Sequence, residues 1–158
     1  MLDGYQSAFE NGLNAKGKEV GVFFKRDGLI EICEEDKFQF IKFKTGAVTI
    51  FCLYVSKGCD FYRLVESLKH FDFNNPKEIT CLVGDLNFDA PGKNELSKYL
   101  SMLKFNQIVR RATHLGGHIL DHVYVQEEIS CLTEIKHHYI YYSDHDGILV
   151  NLKKDINL

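Results

Sequence analysis

Residues that could do chemistry fall in three clusters, each closing an apolar run. The segment "VGDLNFD" (83–89) follows the strand-like "EITCLVG" and sets Asp85 and Asn87 two positions apart. In an extended chain, positions i and i+2 point to one side, so an acid and an amide project together. They do so beyond a strand's carboxyl end, where open α/β sheets bind ligands. An Asp-initiated turn, with Asn tolerating a left-handed backbone, accounts for the same two residues. The second cluster, "GHILDHVYV" (117–125), alternates so that Asp121 shares a face with Ile119, Val123 and Val125. A carboxylate in that company is costly unless a partner satisfies it or it emerges at a sheet rim. The third, "YYSDHDG" (141–147), ends an aromatic run in Ser-Asp-His-Asp. His145 is the natural partner for Asp121, because a carboxylate on one ring nitrogen fixes the tautomer and leaves the other nitrogen for a substrate. Asp144 is a hard oxygen ligand suited to Mg²⁺. Taken alone, "SDHDG" also reads as a polar turn.

Histidines offer a competing metal reading. His114, His118 and His122 recur every fourth residue, which on a helix would stack them like zinc ligands. Gly116 and Gly117 interrupt that segment, and the residues after them alternate as a strand, so the period opposes it. His137 and His138 read as solvated strand-edge residues.

Elements must position these groups. The first third reads as short aromatic or β-branched strands at 19–25, 28–34, 37–43 and 47–54, parted by Asp-Gly and Thr-Gly turns. Within 37–43 the alternation sets Phe38, Phe40 and Lys42 against Lys37, Gln39, Ile41 and Phe43, the pattern of a half-buried antiparallel meander. The period then changes: Phe61, Leu64, Val65, Leu68 and Phe71 recur at helical spacing after Asp60, a candidate N-cap. Residues 78–85 read as a strand covered on both faces. A second helix follows through Leu96, Leu100 and Leu103, capped by Asn94. Strands resume at 105–111, 118–125, 131–136, 138–143 and 147–152. This succession implies an α/β architecture of layers with helices outside sheets.

Composition narrows the class. A chain of 158 residues suits one domain with a real core. A net charge of -3 does not advertise nucleic-acid binding, and Lys57, Arg110 and Arg111 form only a thin set of cations near the clusters. Five cysteines, an odd number without CxxC, read as free thiols in a reducing compartment. The N-terminus lacks signal-peptide character, and the longest strongly apolar run, 47–55, is too short to span a bilayer as a helix. The expectation is a soluble intracellular protein, nuclear or cytoplasmic, with no membrane partner.

"VGDLNFD", "THLGGHILDHVYV" and "YSDHDGI", in that order and at those intervals, resemble the C-terminal signature set of the endonuclease/exonuclease/phosphatase superfamily. "GYQSAF…VGVFFK" looks like that family's early hairpin, so the likeness covers nearly the whole chain. It looks most like endonuclease domains carried by mobile elements. The resemblance implies a DNase I-like layered α/β sandwich over residues 1–158, a single domain that is N-terminally incomplete. Missing would be the opening strand with its active-site Asn and the segment bearing the metal-binding glutamate, for which Glu10 is poorly placed. By the same resemblance, Asp85 is the acid that positions or deprotonates the attacking water, and Asn87 the amide that holds a phosphoryl oxygen. Tyr54, in "CLYVSKG", matches the tyrosine that contacts the phosphate. Asp121 matches the acid that orients the histidine. His145 matches the histidine at the scissile phosphate, and Asp144 the aspartate near the metal, Mg²⁺ or Mn²⁺. Asp146 stands where the family carries an apolar or variable residue. The implied activity is metal-dependent phosphodiester hydrolysis of endonuclease type on DNA, in doubt for a truncated chain. A phosphomonoesterase acting on a small phosphorylated molecule, or a non-catalytic remnant that binds a partner, are the alternatives.

Overall fold

A computed structural model describes residues 4–9, 20–25, 27–73 and 75–152. Glu10 lies outside the described residues. Strands β1 (Gln6–Phe9) and β2 (Gly21–Phe24) pair antiparallel, and an antiparallel meander follows: β3 (Leu29–Glu35), β4 (Phe38–Thr45) and β5 (Val48–Val55). Helix α1 (Phe61–Leu68) crosses to β6 (Ile79–Asp85), which lies parallel to β5. Then come α2 (Glu95–Met102), β7 (Phe105–Gln107), β8 (Asp121–Gln126), the single turn α3 (Glu127–Ser130), and the antiparallel pair β9 (Thr133–His138) and β10 (Gly147–Leu152). The six-stranded sheet has the order β3-β4-β5-β6-β8-β7. Its parallel pair requires a crossover, and α1 supplies it.

Capping explains where the helices begin. The Asp60 side chain accepts from Tyr62 N at 3.0 Å, and Asn94 and Ser97 form a reciprocal capping box on α2. Both helices lie on one face of the sheet. Their Leu64, Leu68, Leu96 and Leu100 are fully buried against Phe40, Phe51, Leu53 and Leu82, each contributing about 2–3 kcal/mol through burial. On the other face Ile79, Cys81, Val123 and Val125 meet Ile135, Ile148 and Val150 of the β9–β10 pair. The layers are helices, central sheet, and strand pair. No helix among the described residues is long and apolar enough to cross a membrane.

Three expectations change. The alternation in β4 is real, but both of its faces are covered: Phe38, Gln39, Phe40, Ile41 and Phe43 are all buried. Phe24 of β2 packs tilted against Phe43 at 4.7 Å and covers that end of the face left to solvent in the half-buried reading. The strand at 105–111 shrinks to Phe105–Gln107, and that at 118–125 begins only at Asp121. Residues 139–142 form no strand: they belong to the connection between β9 and β10, with a turn closed by Ser143 N donating to Ile140 O.

The site depends on how closely β5 and β6 approach. Gly84 pairs with Leu53, has φ +145°, and a Cβ there would collide with the Leu53 carbonyl oxygen. Substitution must therefore push β6 away from β5 as well as strain the backbone. Gly84→Ala is expected to lower stability by about 3 kcal/mol, read as a lower midpoint in thermal or urea unfolding.

Candidate active site

Strand pairing lines up three side chains. Tyr54 is the register partner of Asp85, and Asp85 the partner of Asp121. The alternation puts them on one face: Val83 and Val123 belong to the cluster under the β9–β10 pair, whereas Leu53, Leu82 and Tyr124 belong to the helix side. Tyr54, Asp85 and Asp121 thus form a row across β5, β6 and β8 on the face away from the helices.

Asn87 holds the middle of this row. Its backbone N–H donates to Asp85 Oδ1 at 2.9 Å, and its Nδ2 donates to Asp85 Oδ2 at 3.2 Å and to Val55 O at 2.9 Å. Its φ of +49° is the left-handed conformation an Asx turn uses. The turn and the site are therefore the same residues. Both Nδ2 hydrogens are engaged within the protein, which leaves Oδ1 as the free end of the amide. In this arrangement Asn87 orients Asp85 and has no N–H left for a phosphoryl oxygen. Burial pushes the Asp85 carboxyl above the usual carboxylate range; Asp121 reinforces this, while the Asn87 N–H and His145 oppose it.

His145 Nδ1 lies 2.7 Å from Asp121 Oδ2. Two strips of backbone carry the pair. Buried Thr113 accepts from Leu120 N and Asp121 N through Oγ1, at 3.1 and 3.0 Å, and from Asp146 N through its carbonyl at 2.7 Å. Leu115 N donates to Asp144 O at 2.9 Å, and His114 and His145 form an isolated antiparallel bridge. His145 N donates to Ser143 Oγ at 3.0 Å. Burial pulls the His145 imidazole down, but the hydrogen bond to Asp121 and the charges of Asp121, Asp85 and Asp144 outweigh it, leaving the pKa raised. With Nδ1–H donated to Asp121, Nε2 is the nitrogen left for a substrate.

Asn87, Asp144 and His145 line a cleft of about 440 Å³ together with Lys57, Phe88, Asp89, His114, His118 and Leu120. Residue types alone had singled out neither His114 nor Asp89 for this place. The four-residue spacing of the histidines points elsewhere, and only the pairing of 114 with 145 brings His114 in. His118 bonds to Asp89 at 2.9 Å, and Asp89 also accepts from Ile119 N at 3.0 Å. His122 is buried between Phe88 and Tyr124, with Nε2 at 2.9 Å from Phe88 O, and burial lowers its pKa. The three histidines therefore do not share a metal. His137 is also not solvated: its side chain is 9% exposed and faces Asp146 at 3.5 Å. Arg110 and Arg111 are exposed and do not line the cleft.

The nearest approach to a metal-ligand group among the described residues is His114, Asp144 and His145, whose ligand atoms lie within 4.8 Å of one another. His114 Nδ1 accepts from Gly116 N at 2.9 Å, so its ring proton sits on Nε2, which faces Asp144 Oδ2 at 3.3 Å. A protonated nitrogen has no lone pair for a metal, and the contacts make His114 a donor. Asp144 remains as a hard oxygen ligand. One carboxylate completed by waters and substrate oxygens is a common way to hold Mg²⁺, so the residues present fit that ion.

Solved structures match this arrangement of elements. The endonuclease domain of TRAS1, a telomere-specific non-LTR retrotransposon, aligns with a TM-score of 0.63 at 14% identity, over 95% of this chain and 79% of that one. The 3'-5' exonuclease NExo from Neisseria meningitidis aligns with a TM-score of 0.66 at 13% identity, over 95% and 80%. An endonuclease/exonuclease/phosphatase family protein from Leptotrichia buccalis gives 0.59 at 15% identity, over 94% and 72%. The fold is DNase I-like. No protein-family profile and no curated protein matches the sequence, so the likeness is one of fold. Against CdtB, the biologically active subunit of cytolethal distending toxin, the match covers 85% of this chain and 61% of that one.

Within this DNase I-like fold, Asp85 carries an electrostatic penalty. Its raised pKa means that the ionised form is held against burial and a like charge. That group favours the folded state below the unfolded carboxyl value near pH 4 and ceases to do so as pH rises through the folded value. Asp85→Asn is expected to unfold at a higher temperature than wild type at pH 8, with the gain shrinking toward pH 4; thermal melts across that range measure it.

Proposed function

We propose that this domain is a metal-dependent phosphodiester hydrolase of endonuclease type acting on DNA. The observation that carries the reading is the Asp121–His145 pair beside Asp85 at one end of the sheet. His145 lines the cleft, and Asp85, whose carboxyl is raised above its usual range, is the strand partner of Asp121 and is bonded by the cleft-lining Asn87. Solved proteins of the same fold named as an endonuclease and an exonuclease support the same class.

Each side chain then has a task. Asp85 accepts the proton of a water aimed at phosphorus, a role its raised pKa suits because it brings the carboxylate closer to neutrality. Asn87 holds both Asp85 oxygens in place and acts as a positioning residue. His145, with its raised pKa, meets a non-bridging phosphoryl oxygen through Nε2 when protonated and offsets the negative charge that develops there. Asp121 fixes the imidazole's orientation. Tyr54, the strand partner of Asp85 at the far end of the row, would contact a phosphate oxygen through its hydroxyl. Asp144 would hold Mg²⁺ or Mn²⁺, which when bound neutralises charge on the phosphoryl oxygens. A glutamate ligand matching the family's has no counterpart among the cleft-lining residues, whose carboxylates are Asp89 and Asp144.

Nicking of supercoiled plasmid in Mg²⁺, abolished by EDTA, is the direct test. Asp85→Asn and His145→Ala are each expected to slow nicking by about 10²–10⁴-fold, while Asp85→Asn remains folded. Phosphate release from inositol phosphates with the plasmid left intact would move the substrate to a small phosphomonoester. Inactivity toward both would sink the hydrolase reading.

A further inference from the structure

The aromatic segment that fails to form a strand is the most exposed cluster of large side chains in the described structure. Tyr139, Tyr141 and Tyr142 are 73%, 85% and 79% exposed, in a protein that buries Phe38, Phe40, Phe51, Phe73, Phe105 and Tyr124 in its core. Tyr141 and Tyr142 meet edge to face at 4.9 Å. The rings ride on a tied connection: Gly147 pairs with His138 at its base, and Ser143 N bonds Ile140 O at 3.1 Å. That connection runs directly into Asp144 and His145. Tyr142 and Asp144 are two residues apart, so their Cα atoms are separated by no more than about 7 Å.

Charge decides what those rings can meet. Lys57 is the single Lys or Arg among the described residues lining the cleft, which Asp89 and Asp144 also line. Duplex DNA is held chiefly through neutralised phosphates, with about 6–10 such contacts in strong binders. One lysine does not provide that. Base–aromatic stacking needs no net charge and strengthens binding by about tenfold for each base engaged. Bases within a continuous duplex have both faces covered and present only their edges in the grooves. A ring can stack on a base only where that base is unpaired, terminal or extruded.

We propose that Tyr139, Tyr141 and Tyr142 form a stacking platform at the rim of the cleft, and that the site takes nucleic acid carrying unpaired bases rather than continuous duplex. This rests on the phosphodiester reading given above. The platform supplies the affinity that the acidic cleft lacks and delivers the adjoining phosphate to His145.

Fluorescence anisotropy with the intact chain tests it, using a labelled single-stranded oligonucleotide and the same sequence as blunt duplex, in EDTA so that neither is consumed. Wild type is expected to favour the single strand. Tyr141→Ala combined with Tyr142→Ala is expected to weaken single-strand binding by about tenfold per ring, with duplex binding unchanged and the Phe replacements close to wild type. Both side chains are exposed, so the replacements leave the core intact. Alanine variants that bind the single strand as wild type does, or that lose duplex binding equally, overturn the platform while leaving the hydrolase reading standing. Wild type that binds neither form removes the nucleic-acid reading, and the platform with it.

Discussion

A 2.7 Å contact between Asp121 and His145 joins the central sheet to the connection between β9 and β10, beyond the apolar cluster that packs the two layers together. Asp121 belongs to the central sheet, where pairing with Asp85 fixes its height and face. His145 belongs to the connection between β9 and β10, which covers the same side of that sheet. The contact, together with the His114 ring packed edge-on at 4.9 Å, sets the orientation of the imidazole beside the row of Tyr54 and Asp85. The backbone bonds between 113–115 and 144–146 bring the histidine near, and the carboxylate gives it a direction.

The same geometry carries a penalty. Like charges directly opposite on antiparallel strands repel, and Asp85 and Asp121 stand in that relation at a half-buried sheet end. Asn87 relieves part of it by donating to both Asp85 oxygens, and His145 relieves part by pairing with Asp121. Gly84 permits the close approach that keeps Tyr54 level with Asp85. Repulsion held in place by hydrogen bonds is characteristic of a preorganised site, because the groups are set before a substrate arrives.

Local pattern made much of this readable. Asp60 and Asn94 announce their helices through side-chain chemistry that acts within three residues, and the structure has both caps. The apolar run 78–85 put Asp85 at a strand end, and alternation put Asp121 on the face of Val123 because pleat alone decides it, whereas Asn87 lies past the strand in a left-handed turn. What escaped was set by distant contacts. Both faces of β4 are buried, and on the second one Phe24, from another hairpin, covers Phe43. His114 enters the cleft through a cross-chain bridge that its spacing to His118 and His122 obscures. The aromatic propensity of 138–143 favours a strand, yet β10 pairs with 133–138 instead and leaves the tyrosines outside the sheet.

Long-range ¹H–¹⁵N NMR of the His145 ring tests the Asp121 contact most directly. The neutral imidazole is expected to carry its proton on Nδ1, slow to exchange, with Nε2 bare, and that proton's protection is expected to disappear in Asp121→Asn. A neutral ring protonated on Nε2, or an Nδ1 proton indifferent to Asp121→Asn, would contradict it.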